Sequence, residues 1–420
     1  MRFLGKSAEE NTPHPKLRQV EFFPAEISGQ RVICIKDPLN LSGKVLFVPY
    51  PLFYMISLFD GRHSIVDVQA EFMRRFGELL YREKIEALLG QLEDHFLLES
   101  DRFRGAERKL VEDFQKAPFR PLNLAGGAYE KDPAKLLHSI QETLRELDRA
   151  DPPAERERLE TLTGVIAPHI DYSRGGSCYA RAHRAIRNGS KSDLVLILGT
   201  AHAPTRHPYA VTRKDFETPW GLVETDRGFL NELQGACPYP LLEDEFVHRG
   251  EHSIELQLVF LRALWDKDPP LRIIPVLCGS FHEAIAKNQS PSEVAEIESF
   301  IQSLKQILSH REGRVLVLAS ADLAHVGVRF GDAEAPNRFT LETLEEEDGR
   351  LLGYAERMDA EGFYEVLRRE KDRRRICGLS SIYTLLRIVN ARQARILQYG
   401  QAMDDGTQSV VTFASLGFFS

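Results

Sequence analysis

Three apolar runs in this chain each end within a few residues of a histidine. Gly164-Val165-Ile166-Ala167 leads into Pro168-His169, and Leu194-Val195-Leu196-Ile197-Leu198-Gly199 leads into Thr200-Ala201-His202. The third run, Val315-Leu316-Val317-Leu318-Ala319-Ser320, leads into Asp322 and His325. Short continuous apolar runs of this kind suit buried strands of a helix-covered sheet. In open α/β sheets, ligands bind beyond the carboxyl ends of the strands, where the loops converge and the core does not need them. Imidazoles delivered to one rim therefore predict a metal site or a proton-transfer site. Cys377 is a further candidate, in Arg375-Ile376-Cys377-Gly378 just before the apolar, helix-like run from Ile382 to Val389. A thiol at a helix N-terminus ionises readily, and a thiolate is a metal ligand.

The other polar residues sort by their surroundings. His169 is followed by Asp171, Tyr172 and the pair Gly175-Gly176, which permits close backbone approach to a ligand. The alternative for His169 is a turn histidine with one structural hydrogen bond. His202 ends a buried strand, whereas His207 lies in a Pro-rich loop and reads as surface. His248-Arg249-Gly250-Glu251-His252-Ser253-Ile254-Glu255 opens a helix with Ile254, Leu258, Leu261 and Trp265 as its apolar stripe. Glu251 and Glu255 stand four apart and His252 and Glu255 three apart, spacings that place such pairs on one helix face. The competing reading is a charged helix start with acids favoured by the helix dipole. Asp322 and His325 read as a carboxylate–imidazole pair for acid–base work, with Asp322 fixing the ring and Ser320 at the same rim.

Composition bounds the rest. At 420 residues the chain exceeds one ordinary core, and two domains are expected. A net charge of -8 argues against general nucleic-acid binding. No run is long enough to span a bilayer. The first residues turn charged at Glu9-Glu10 without a signal-peptide core, so a cytoplasmic location is expected. Five cysteines, widely spaced and without a CxxC, speak against a disulfide framework or a zinc knuckle. Cys178, Cys237 and Cys278 read as packing residues.

Residues 1–105 read as a small α+β unit. It has short strands at 31–35 and 45–48, a helix over 51–59, a helix capped by Ser64 with Asp67 three residues on, a helix from Arg82, and a closing strand at 96–99. The stretch LFDGRHSIVDVQAEFMRRFG (58–77) followed by IEALLGQLEDHFLLE (85–99) resembles the PqqD-like family. These are small winged-helix domains that hold leader peptides for modification enzymes. The resemblance implies a peptide or protein partner, bound by strand addition; the alternative is an accessory domain without one. Arg74 and Arg75 read as a solvated face. Residues 106–120, charged and then Pro-containing, are expected to be a linker. From 121 to 420, strand-like and helix-like runs alternate, the signature of a helix-covered sheet closed by the apolar run Val410 to Phe419.

Within that larger part, GVIAPHIDYSRGGSCYARAH (164–183), LILGTAH (196–202), ETPWGLVETD (217–226), GEHSIELQLVFL (250–261), SADLAHVG (320–327) and ICGLSSIYTLL (376–386) resemble, collinearly, the Memo family. The family is also known as protein B of the AmmeMemoRadiSam system. The resemblance implies a mostly parallel α/β sandwich similar to class III extradiol dioxygenases. It implies metal ligands at His169, His202 and Cys377, with Asp322 and His325 beside them. Iron(II) is the leading metal, with copper or zinc as alternatives, and a radical-SAM protein is the implied partner. The family's N-terminal His-Ala-Gly is Leu124-Ala125-Gly126 here, and its paired histidines after the second strand are His202-Ala203. Three functions stay open at this point. The first is a non-heme redox enzyme, dioxygenase-like but with Cys377 in place of a carboxylate. The second is a metal-dependent hydrolase or lyase using Glu251 or His325 as base, with His252 nearby. The third is a peptide- or protein-binding module with a vestigial metal site.

Overall fold

The computed structural model describes residues 14–27, 29–151, 161–189, 192, 194–265 and 270–420. The charged N-terminal stretch at Glu9-Glu10 lies outside them. Two compact units emerge. The first runs through Lys116 and takes in the short segments Val328–Phe330 and Asp405–Gln408; the second comprises the rest.

In the first unit, strands Glu21–Ile27, Gln30–Lys36 and Val45–Val48 form an antiparallel sheet with the second strand in the middle. Helices Tyr50–Ser57, Ile65–Phe76, Arg82–Asp94 and Asp101–Lys116 follow. Ser64 forms the expected capping box, its side chain accepting from the Asp67 N–H while Asp67 reaches back to the Ser64 N–H. Gly77, at a φ of 71° that a side chain would resist, stops that helix. Ile35, Val48, Ile56, Ile65, Val68, Ile85, Leu88 and Leu92 pack into one core. The sequence differs from the structure in three places here. The strand Glu21–Ile27 is one the sequence pattern does not signal. Residues 96–99 form only an isolated bridge, Leu17 to Leu98, and Phe96 adopts a left-handed φ of 57°. The stretch expected as linker at 106–120 is helical through Lys116. It carries no proline before Pro118, so its charges solvate a helix face and do not break it.

The second unit is built on a large mixed sheet. At its centre Leu162–Ala167, Val315–Ser320, Leu194–Thr200 and Arg272–Cys278 lie side by side, all parallel. Every residue of Leu194–Thr200 is buried, because helices cover both faces. Alternate residues serve two cores. Ile166, Leu196, Leu198 and Val317 join Phe300, Leu304 and Ile382 on one side. Val165, Val195, Ile197 and Leu316 join Ile186, Ile254 and Leu258 on the other. Each such side chain contributes roughly 1.5–3 kcal/mol on burial. Ser409–Phe419 runs antiparallel to Leu162–Ala167 and carries Asp322–Gly327 and Gln393–Asp404 beside it. Among the described residues no helix is long and apolar enough to cross a membrane.

The register aligns the strand ends. Ser320 pairs with both Ala167 and Gly199, and Cys278 with Thr200. His169 and His202 therefore leave the sheet at one level, each two residues past its strand. Asp322 and His325 fall on the next strand, which pairs antiparallel with Ser409–Phe419, with an irregular register between the two residues.

Candidate metal centre

His169 sits at the bottom of the site and is buried. Its backbone N–H donates to Asp322 Oδ1 at 2.9 Å, and its Nδ1 lies 3.0 Å from the Ser320 carbonyl. A carbonyl only accepts, so Nδ1 carries the proton and Nε2 keeps its lone pair. Burial, with the neighbouring His202 and His252, holds this imidazole well below its ordinary pKa, so it stays neutral.

His202 and His252 meet over Glu251. Glu251 Oε1 is 3.0 Å from His202 Nδ1 and 3.1 Å from His252 Nδ1. The same carboxylate accepts the backbone N–H groups of His202, His252 and Ser253 at 2.8, 2.7 and 3.0 Å. Burial opposes ionisation of Glu251, but its two histidine partners outweigh that and hold it well below the usual carboxylate range. Burial likewise opposes a charge on His202, yet Glu251 raises that imidazole well above its ordinary value in the metal-free protein. Gly199 makes the approach of this segment possible. A Cβ there would meet Ile254 Cγ1 and Ser253 Oγ at 2.7 Å each, so the helix Ser253–Leu264 rests directly on the strand that delivers His202.

The three rings converge. His202 and His252 stack at 4.5 Å between centroids and 23°, and His169 meets each edge-on at 5.1 and 5.3 Å. One nitrogen from each lies within 4.8 Å of the others, a geometry that can hold a metal ion. His169 is 2% exposed in its side chain, His202 39% and His252 34%, so the cluster is closed below and open on one side.

Cys377 Sγ lies 3.3 Å from His169 Nε2 and 3.7 Å from the Asp322 carbonyl. Burial pushes its thiol up, with His202 opposing, so in the metal-free protein the helix start does not ionise it as its sequence position suggests. The loop ahead of it is strained: Lys371, Asp372 and Arg375 have φ of 54°, 46° and 54°. Strain of this kind persists only where surrounding contacts over-determine it. Here Asp372 accepts from the Ile376 N–H at 2.9 Å and bonds His282 Nε2 at 2.7 Å. Buried Arg374 pairs with Asp348 and Glu370, and Arg375 pairs with Asp332. Gly378 allows the last close approach, since a Cβ would stand 2.6 Å from both Ala321 Cβ and the Asp322 carbonyl.

Asp322 is buried, which raises its pKa against the pull of His325 and the His169 N–H. Its Oδ2 is 3.7 Å from His169 Nε2. His325 bonds the Leu323 carbonyl through Nδ1 at 3.1 Å, and burial lowers its pKa to about 4 despite Asp322. The structure thus gathers His169, His202, His252, Cys377, Asp322, His325 and Glu251 at one rim. Glu255 goes elsewhere. It is buried and takes hydrogen bonds from Tyr129 Oη at 2.6 Å, the Leu124 N–H at 3.0 Å and the guanidinium of buried Arg120. Glu251 precedes the helix, so the i,i+4 spacing does not align the two acids. His207 is mostly enclosed between Glu243 and Glu296. His252, expected among the acid–base groups, has its ring grouped with those of His169 and His202. Glu251's double contact had no signal beyond the polar density of 248–255. Three imidazoles with a thiol at hand suit iron(II), copper or zinc.

Comparison with known proteins identifies relatives of the chain. The model of the Memo-like protein family matches residues 120–417. The chain is 28% identical to a MEMO1 family protein of Aquifex aeolicus over 404 residues, 96% of this chain and 99% of that one. It is 30% identical to one of Thermus thermophilus over 363 residues, covering 85% and 99%. A Methanosarcina barkeri MEMO1 family protein is 27% identical over 264 residues, covering 62% and 87%. The Aquifex alignment necessarily takes in most of the N-terminal unit, which the family model leaves out.

Proposed function

This chain belongs to the Memo-like protein family, and on that premise we propose that it is a cytoplasmic non-heme metal protein that carries out a redox reaction. The observation that supports this most is the convergence of three imidazole nitrogens beside a thiol, with one side open. Iron(II) is the proposed metal, with copper or zinc as alternatives; a bound iron or copper ion would supply one-electron chemistry. The open side, flanked by His202 and His252, is where a substrate would enter. His325, kept neutral by burial, would accept a proton there, and Asp322 would hold His169 through its backbone. The similarity in fold to extradiol dioxygenases belongs to this reading, and Cys377 in place of a carboxylate argues against ring cleavage. The proposed partners are a radical-SAM protein and a peptide added along the N-terminal edge strand Val45–Val48. That strand exposes Val45 and Phe47.

The deciding experiment is metal analysis of protein purified anaerobically, followed by oxygen uptake. One equivalent of metal is expected, lost in the H169A/H202A/C377A variant with the fold retained. Unchanged metal in that variant would sink the site. A loaded but inert protein would favour the peptide-binding reading.

A further inference from the structure

We propose that Glu251 is a positioning residue that fixes the tautomers of His202 and His252 together, making His252 a nitrogen donor of the site beside His169 and His202. The metal-binding consequence rests on the reading above; the tautomer statement does not.

The argument is one of hydrogen-bond inventory. Glu251 Oε1 faces the Nδ1 atoms of both rings, at 3.0 and 3.1 Å. An ionised carboxylate only accepts, so each facing nitrogen must carry the hydrogen. A neutral imidazole has one N–H, which leaves Nε2 of both rings with a lone pair. The Ser320 carbonyl imposes the same tautomer on His169. All three rings are therefore set in the same sense, and one nitrogen of each meets the other two within 4.8 Å.

Glu251 is itself immobilised. Three backbone N–H groups hold its carboxylate, and its own carbonyl accepts from Arg120 Nη2 at 2.7 Å. Arg120 also donates to the His248 carbonyl at 3.0 Å, so the whole turn ahead of the helix is fixed. The rings of His202 and His252 are the more exposed ones, and Glu251 is the group that faces the Nδ1 atom of each. A carboxylate engaged by three backbone N–H groups and the His202 ring, with the His252 ring at 3.1 Å, is poorly placed to serve as a general base, so the arrangement speaks for orientation over proton abstraction.

The test is long-range proton–nitrogen NMR on full-length, histidine-labelled, metal-free protein, at a pH alkaline enough for neutral rings. Wild type should show Nδ1–H for His169, His202 and His252. In E251L the side chain keeps its bulk and offers neither ring an acceptor. At least one of His202 and His252 should then move to Nε2–H, with His169 unchanged as the internal control. Zinc affinity, read by competition with a chelating dye, should fall by roughly 10–100-fold, the usual cost of losing such a partner. If both rings keep Nδ1–H in E251L, the proposal is wrong. If the tautomers shift and zinc affinity does not, the clamp stands and the metal reading of these nitrogens fails. Should E251L not fold, E251D serves: it keeps the charge but withdraws it by one methylene, and a mixed tautomer population in either ring is the expected result. An unmixed Nδ1–H population in E251D overturns the proposal.

Discussion

Arg120 and Glu255 form an ion pair from which solvent is almost wholly excluded, with side-chain exposures of 0% and 1%. The pair ties the start of the large unit to the helix Ser253–Leu264. Both partners are further bonded: Glu255 takes Tyr129 Oη and the Asn123 and Leu124 N–H groups, and Arg120 donates to three carbonyls. Removing one partner leaves a buried charge uncompensated, which costs about 3–5 kcal/mol. R120M should therefore lower the stability of the large unit by that amount in urea unfolding. It should also weaken zinc binding, because the carbonyls of His248 and Glu251 lose their donor. A loss under ~1 kcal/mol would mean that water enters and replaces the guanidinium.

A pH dependence follows from His183. Its Nε2 bonds Gln257 Oε1 at 3.1 Å, its ring stacks on Phe260, and burial lowers its pKa from 6.5 to about 3. Between those two values the unfolded ring binds a proton and the folded ring does not. Stability is thus complete above the unfolded value and lost as the pH falls toward the folded one, by about 1.4 kcal/mol per pH unit for one such group. Both tryptophans, Trp220 and Trp265, lie in the large unit, so their fluorescence follows that unit alone. Between pH 6.5 and 5, H183Q should lose about 2 kcal/mol less than wild type. Equal losses in the two proteins would show that His183 is not the group responsible.

Gly378 tests how the Cys377 loop is held. An alanine there would need space already taken by Ala321 and the Asp322 carbonyl, at 2.6 Å each. Overpacking of this kind costs typically 1–3 kcal/mol. The displaced loop should also move the thiol away from His169. In cobalt-substituted G378A the thiolate charge-transfer band should weaken relative to wild type, and an unchanged band would show that the loop absorbs the methyl group without moving Cys377.

These sites differ in how openly the sequence displays them. The central strands were legible because burial on both faces demands unbroken apolar runs, and a histidine at the end of such a run stands out. Ser64 and Asp67 were legible because a capping box is local. The strand Glu21–Ile27 was hidden by Pro24, which is tolerated because the strand lies at the sheet edge. The role of Glu251 was hidden for a different reason. One of its partners is its own neighbour, His252, and the other, His202, lies 49 residues upstream, a pairing that only the packed sheet creates. Helical spacing suggested that Glu251 and Glu255 act together, but the helix begins two residues after Glu251.

His325 offers the sharpest separation between holding a metal and moving a proton. It lies on the strand Asp322–Gly327, its Nδ1 is committed to the Leu323 carbonyl, and burial lowers its pKa to about 4. The three convergent imidazoles are His169, His202 and His252, and His325 is not among them. H325Q should therefore retain most of the zinc affinity of wild type. Whatever turnover the loaded protein has should fall by on the order of 10²–10⁴-fold, the range usual for a lost acid–base group, and the acidic limb of its pH profile should move. Zinc affinity and the pH profile are measured on the same preparation. Loss of zinc as complete as in H169A would make His325 a ligand and leave the site without its proton acceptor. If affinity, rate and profile all stay unchanged, the ring serves only to hold its strand, and the case for a catalytic site weakens in favour of a binding module.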